Sequence, residues 1–402
     1  MTLSLLMPAA AISGLLALCW PWPGAATQGP GLFPQPDAAP SRRAAPAAVF
    51  GKDDRVALPV RYNALRSSIG LLFSVPARTV CSAFCVADNV VATAAHCLFR
   101  TSGEHPPPLA GFWFARQFAD RHRLARIAGT GTGAAAQHIM AGSMRLSLRP
   151  PIDATSDWAL VRLDRPACQD HVLPLRPLSP DAIAREATAQ RLYQVGYHRD
   201  FIDWRLAYSR PCAEIRQSGT EWGAVAKDFS RPDLLVLHTC DTGGASSGSP
   251  LLVDGANGPE VVGINVGTYM QARVVTQKGQ VLHRYKASNV ANTAVAAQAF
   301  ADRLAVFRDA HILSSGSSLQ SLQARLKMLK YYVGRVDGSY GPALRDAIRA
   351  FEAAQNSVVT GLATVSLLRR LEEIPASVPR PPPDPYTAYL RPPETKQPRR
   401  KR

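Results

Sequence analysis

At 402 residues the chain exceeds one typical domain, and its 33 prolines gather at the ends and in loops. The formal net charge is +16, yet zinc-finger spacing, a basic patch interleaved with aromatics, a metal-ligand cluster and a phosphate-cradling glycine loop are all missing from the sequence. That excludes the common nucleic-acid and nucleotide-binding classes and leaves solvated charge, or attraction to an anionic polymer, as its meaning.

The elements begin with an apolar stretch over residues 3–19, with no charged side chain before Asp37 and small residues at Gly24-Ala25-Ala26. Residues 1–26 therefore read as a signal peptide. No Lys or Arg stands near Met1, so an uncleaved anchor or a different start stays open, although Pro8, Pro21 and Pro23 argue against a regular spanning helix. Residues 27–54 are expected to be a flexible leader rich in Pro and Ala. Setting Cys19 aside leaves six cysteines, an even number that suits an oxidising compartment.

Residues 55–310 read as short strands separated by turns. The candidates are 68–75 (SIGLLFSV), 89–95 (NVVATAA), 158–164 (WALVRLD), 191–197 (RLYQVGY), 234–240 (LLVLHTC), 250–255 (PLLVDG) and 261–267 (VVGINVG). Residues 291–307 switch to helical spacing rich in Ala and Leu. GTGTG at 129–133 has neither the lysine nor the helix of a phosphate loop and reads as a plain loop.

Three segments in this region carry chemistry: TAAHC at 93–97, SDWALVRL at 156–163 and GASSGSP at 244–250. Alone, each has an ordinary reading, respectively a core histidine, an alternating strand and a turn. Together they offer His96, Asp157 and Ser247 in that order. A serine hydroxyl needs a neighbouring imidazole to take its proton, and the imidazole needs a carboxylate to fix its tautomer.

In motif order the chain resembles the trypsin-like serine peptidases of the bacterial branch that includes glutamyl endopeptidases. The resemblance implies a mostly β fold of two six-stranded antiparallel barrels with a closing helix, the triad in the cleft between them, and hydrolysis of a protein or peptide substrate without cofactor or metal. It implies an oxyanion hole made by the amides of Ala245 and Ser247, with Ala245 standing where the family has glycine. A Cβ there restricts the backbone, which keeps open a catalytically inactive homologue acting as an envelope-binding protein. No IVGG-like start follows a basic residue, so activation by a new N-terminal amine is not implied.

The same resemblance implies disulfides Cys81–Cys97 and Cys212–Cys240. Cys85 and Cys168 then pair by elimination or stay reduced in the core. Specificity is open between two readings of Asp241, six residues before Ser247: a carboxylate at the base of the specificity pocket or a structural group. Asn265 occupies the strand after the serine where glutamyl endopeptidases carry histidine, which argues against cleavage after Glu.

After a Ser/Gly linker at 311–318, expected to let the domains move, residues 319–374 resemble the three-helix peptidoglycan-binding domain. Leu322, Leu326 and Leu329 would face the core from its first helix, Leu344, Ala347, Ile348 and Phe351 from its second, and Val365, Leu368 and Leu371 from its third. Residues 375–402, Pro-rich and ending PRRKR, read as a disordered basic tail. The expected partners are a peptide substrate and peptidoglycan or another anionic envelope polymer, with no nucleic acid. The expected location is secreted, periplasmic or at the cell envelope, and the sequence leaves the oligomeric state open.

Overall fold

The computed structural model describes residues 48–375, apart from 100–107, 117–123, 148, 202–203, 216–224, 272–273, 278–279 and 285–287. The expected signal peptide, most of the leader and the basic tail lie outside the described residues. Of these, no helix is long and apolar enough to cross a membrane.

The chain opens with β1 (Val56–Ala57), then lays down one sheet from consecutive short strands: β2 (Ile69–Ser74), β3 (Thr79–Ala87), β4 (Val90–Thr93), β5 (Trp113–Arg116), β6 (Leu124–Arg126), β7 (Ile139–Ala141) and β8 (Ala159–Arg162). Their order is β6-β5-β2-β3-β4-β8-β7, antiparallel throughout. Every residue of β2 and β4 is buried, which explains why the sequence shows unbroken apolar runs there instead of alternation. Leu72, Val91, Phe112, Phe114, Ile139 and Val161 meet in the core.

A second sheet takes β9 (Tyr193–Tyr197), β10 (Leu206–Ser209), β11 (Leu235–His238), β12 (Pro250–Gly255), β13 (Gly258–Gln271) and, after the hairpin β14 (Val274–Gln277) and β15 (Gln280–Arg284), β16 (Ser288–Ala296). Its order is β1-β10-β9-β12-β13-β16-β11. The mostly β class with two antiparallel sheets is as expected. Among the described residues each sheet holds seven strands where six were expected, the seventh in the second being the two-residue β1.

The helical spacing read over 291–307 is corrected by the structure. β16 runs to Ala296, a turn of 3-10 helix follows at Ala297–Ala299, and the closing helix spans only Ala301–Asp309. The alanines that imitate helix composition lie between two neighbours, β11 and β13, with Ala291, Ala294 and Ala296 fully buried. Tertiary pairing overrides propensity at such a position.

Three further helices, Gly316–Met328, Pro342–Ala354 and Val365–Glu373, follow among the described residues. Ser315 and Thr364 cap the first and third by accepting the amides of Ser318 and Leu367, and proline begins the second, each a standard way to satisfy a helix start. The predicted faces of the first two helices enter one core. On the third, Leu367 and Leu371 are buried, Leu368 packs at the edge, and Val365 in the first turn is 42% exposed.

The segment 311–318 is no free spacer. Leu313 N–H donates to Ala363, Val365 N–H donates to His311, and the first helix of the module already begins at Gly316. On the other face Arg345, only 4% exposed, donates to the carbonyls of Ala141 and Gly142 at the end of β7 (3.1 Å to Gly142). The helical module is thus fastened to the first sheet.

Candidate active site

Register delivers the imidazole and the carboxylate. Thr93 pairs with Ala159 across β4 and β8, three residues before His96 and two after Asp157. Beyond Thr93 the chain tightens into a 3-10 turn, Ala95–Cys97, with His96 at its centre. Asp157 ends a matching turn, Ala154–Ser156, immediately before β8. Two bonds then join them: His96 N–H donates to Asp157 Oδ1 at 2.9 Å, and ring Nδ1 lies 2.7 Å from Oδ2. A carboxylate that takes both the backbone and the ring of one residue fixes the ring plane and places the Nδ1 proton, which leaves Nε2 free as a base.

Asp157 is 7% exposed. Its neighbour Trp158 packs against Phe300 and Arg303, and the Trp158 carbonyl accepts Gly142 N–H at 2.9 Å. Burial disfavours the charged imidazole, but the adjacent carboxylate outweighs it, so the His96 pKa is raised above 6.5.

The histidine turn is tied to β3 by the Cys81–Cys97 disulfide, with Cα atoms 6.2 Å apart. The neighbouring Ser82 reaches the serine loop. Its N–H donates to the Ser247 carbonyl (2.9 Å), its Oγ to the Ala245 carbonyl (3.0 Å), and its own carbonyl accepts Thr93 Oγ1 (2.8 Å). Gly248 seals the contact at φ +83°: a Cβ there would lie 2.2 Å from the Ser82 carbonyl and 3.0 Å from the Ala94 amide. So the residue after Ser247 touches backbone two residues before His96. Among the described residues no hydrogen bond joins Ser247 Oγ to His96 Nε2, a contact that is commonly long before substrate arrives.

Ala245 adopts φ +76°, in the left-handed region that favours glycine. A Cβ makes that conformation cost about 1–2 kcal/mol, so the surrounding bonds must impose it. Its Cβ therefore does not prevent the turn. Further along, Gly248 N–H donates to Asn265 O, Asn265 N–H to Ser249 O, and Ser249 Oγ to Ser246 O.

Asp241 and Asn265, expected to line a specificity pocket, both have internal hydrogen-bond partners. Both are 2% exposed. The Asp241 oxygens accept the amides of Phe50 (2.8 Å) and Asp54 (3.0 Å), which favours the structural reading of Asp241. Asn265 sends its amide to Ser246 O and Oγ and accepts from His238 Nε2 at 3.2 Å, so it braces the serine loop from below. Burial holds His238 neutral, lowering its pKa to about 4.

Cys85–Cys168 and Cys212–Cys240 are bonded as well. The clusters Cys81/His96/Cys97 and Cys212/His238/Cys240 are compact enough for a metal ion, but their sulfurs are spent in disulfides and offer no thiolate. Sequence reasoning missed Ser82, Ser249 and the residues 48–55. A small polar residue inside a strand buried from Val80 onward, next to a half-cystine, is the signal that marks Ser82.

Residues 81–264 match the family described as "Trypsin-like peptidase domain", and residues 315–371 match "Putative peptidoglycan binding domain". No curated protein matches the chain. Among solved structures, similar chains include a Glu endopeptidase in complex with MPD (15% identity, 65% of this chain and 97% of that one, TM-score 0.42) and the thermostable serine protease AL20 from an extremophilic microorganism (17%, 60% and 95%, TM-score 0.37). The chain carries a trypsin-like peptidase domain followed by a peptidoglycan-binding domain.

Proposed function

We propose that the enzyme is secreted to the cell envelope, is held there on peptidoglycan, and cleaves protein or peptide substrates with His96, Asp157 and Ser247. Ser247 Oγ attacks the scissile carbonyl while His96 Nε2 takes its proton. The tetrahedral oxyanion is met by the amides of Ala245 and Ser247, His96 passes the proton to the leaving amine, and water repeats the sequence to release the acyl group. Asp157 orients the ring and stabilises the imidazolium.

The observation that carries this reading is the double seating of His96 on Asp157. A structural histidine needs one partner, whereas holding both backbone and ring leaves one nitrogen free in a set direction. The left-handed turn at Ala245 supports an intact oxyanion hole over an inactive homologue. The test is labelling of the disulfide-bonded full chain by a fluorophosphonate, alongside cleavage of peptides ending in Arg, Glu or Phe and co-sedimentation with insoluble peptidoglycan. Labelling and cleavage that vanish in Ser247→Ala are expected. An intact wild-type protein that is never labelled refutes the catalytic reading, and failure to sediment refutes the anchoring.

A further inference from the structure

Residues 48–54 were expected to belong to a flexible leader and Arg55 to open the peptidase domain, yet all of 48–55 is bonded along the segment that leads into the serine loop. Ala48 and Thr242 exchange backbone hydrogen bonds at 2.9 and 3.0 Å. Phe50 and Asp54 give their amides to the two Asp241 oxygens. Arg55, buried, places its guanidinium on both Asp53 (2.7 and 2.9 Å) and Asp200 (2.8 and 3.1 Å).

That ion pair lies flush on Gly243. A Cβ there would be 1.9 Å from Asp200 Oδ1 and 2.9 Å from Arg55 Nη1, so the guanidinium and carboxylate rest against bare backbone. From the other side His198 Nδ1 accepts Gly243 N–H at 2.9 Å, and Arg199 N–H donates to the Gly244 carbonyl at 2.6 Å. Residues 241–244 are thereby held one by one. The next residue is Ala245, in a conformation its own side chain disfavours.

We propose that residues 48–55 form a strap that sets the oxyanion loop, with Asp241 and Arg55 as positioning residues acting through the amides of Ala245 and Ser247. The inference rests on the catalytic reading above. A left-handed alanine persists only where its neighbours impose it, and Ser82 fixes the carbonyl of Ala245 but not the direction from which the chain enters. The strap fixes that entry. It also explains why a buried carboxylate so close to the serine accepts two backbone amides: its acceptors are turned to the N-terminal segment rather than to a substrate side chain. An oxyanion hole works because its donors are aimed beforehand, and a donor displaced by a fraction of its bond length weakens transition-state binding more than ground-state binding.

The experiment uses the full chain and its Asp241→Asn, Arg55→Met, Arg55→Lys and Gly51→Ala variants. Gly51 sits in the strap, exposed, at φ +88° with open space around it, so an alanine there perturbs backbone alone. Steady-state rates are measured on the three peptides ending in Arg, Glu and Phe, together with affinity for a peptidyl boronate that mimics the tetrahedral state. For Asp241→Asn and Arg55→Met kcat falls about 10- to 100-fold on every peptide. KM stays within roughly threefold, boronate affinity falls with kcat, and Arg55→Lys recovers part of the loss.

Unchanged kcat and boronate affinity in folded variants overturn the proposal. So does a loss confined to the Arg peptide, because Asp241 then reads substrate. Should both principal variants fail to fold, Gly51→Ala decides: a several-fold fall in kcat supports the strap and an unchanged kcat overturns it. If the wild-type protein shows no fluorophosphonate labelling, the catalytic reading fails on its own. The strap is then judged by amide exchange over 243–247, faster exchange in Arg55→Met supporting it and equal exchange overturning it.

Discussion

Replacing Asp157 by asparagine changes one oxygen into an NH2 group and leaves the shape almost untouched. In the native arrangement both oxygens accept, one from His96 N–H at 2.9 Å and one at 2.7 Å from ring Nδ1, and an amide supplies a single acceptor. If the remaining oxygen faces the ring, the NH2 confronts the buried His96 N–H, two donors without an acceptor, at about 1–3 kcal/mol. If it faces the backbone, NH2 points at Nδ1, which must then accept, and the ring proton moves to Nε2 where it blocks the transfer from Ser247. The second arrangement keeps both bonds and is favoured, so the expected loss is that of a wrong tautomer, roughly 10³- to 10⁴-fold in kcat, or about 4–5.5 kcal/mol at 1.36 kcal/mol per decade. Initial rates on a peptide substrate, normalised to active sites titrated with a fluorophosphonate, measure it. A loss under tenfold in a folded variant would falsify the assigned role of Asp157.

The pH profile follows from the same pair. Because the His96 pKa is raised above 6.5 and the base must be neutral, the acidic limb of kcat/KM lies above pH 6.5, and in Asp157→Asn, where only burial acts, it moves below that value. The sign for stability is opposite to that for activity: the charged pair stabilises the fold fully below the unfolded pKa and that contribution is lost as pH rises through the raised folded value, which urea midpoints across that interval check. Arg345→Met strips a donor from the carbonyls of Ala141 and Gly142 and lowers stability by about 1–3 kcal/mol, read as an earlier urea transition of the helical module, while an unchanged transition shows that its docking contributes nothing.

Much of the peptidase region was legible because catalysis constrains short contiguous motifs. TAAHC and SDWALVRL keep their residues at the junction of strand and turn, and the strands read at 68–75, 191–197 and 250–255 stand within two residues of those observed. Ala291–Ala296 was misread because an alanine fits a helix and a crowded central strand equally well, and only long-range pairing separates the two. Asp241 could not be resolved from sequence for a related reason. A carboxylate near the serine has the same letter whether it meets a substrate or the amides of Phe50 and Asp54, and those amides lie more than 180 residues away. The leader was read from its proline content up to Pro46, which says nothing about the few residues that follow it.

A spacer of eight flexible residues would let a cutting site roam about 15 Å from its point of attachment. Here Arg345 grips the edge of one sheet and the joining residues are knitted to the module, so under the proposed anchoring Ser247 would keep one bearing and one height above whatever polymer the helices hold. Such a mounting would select substrates by where they protrude as well as by what they are made of: a loop or tail crossing that fixed plane would be reachable, and an equally cleavable one lying flat beside the anchor would not.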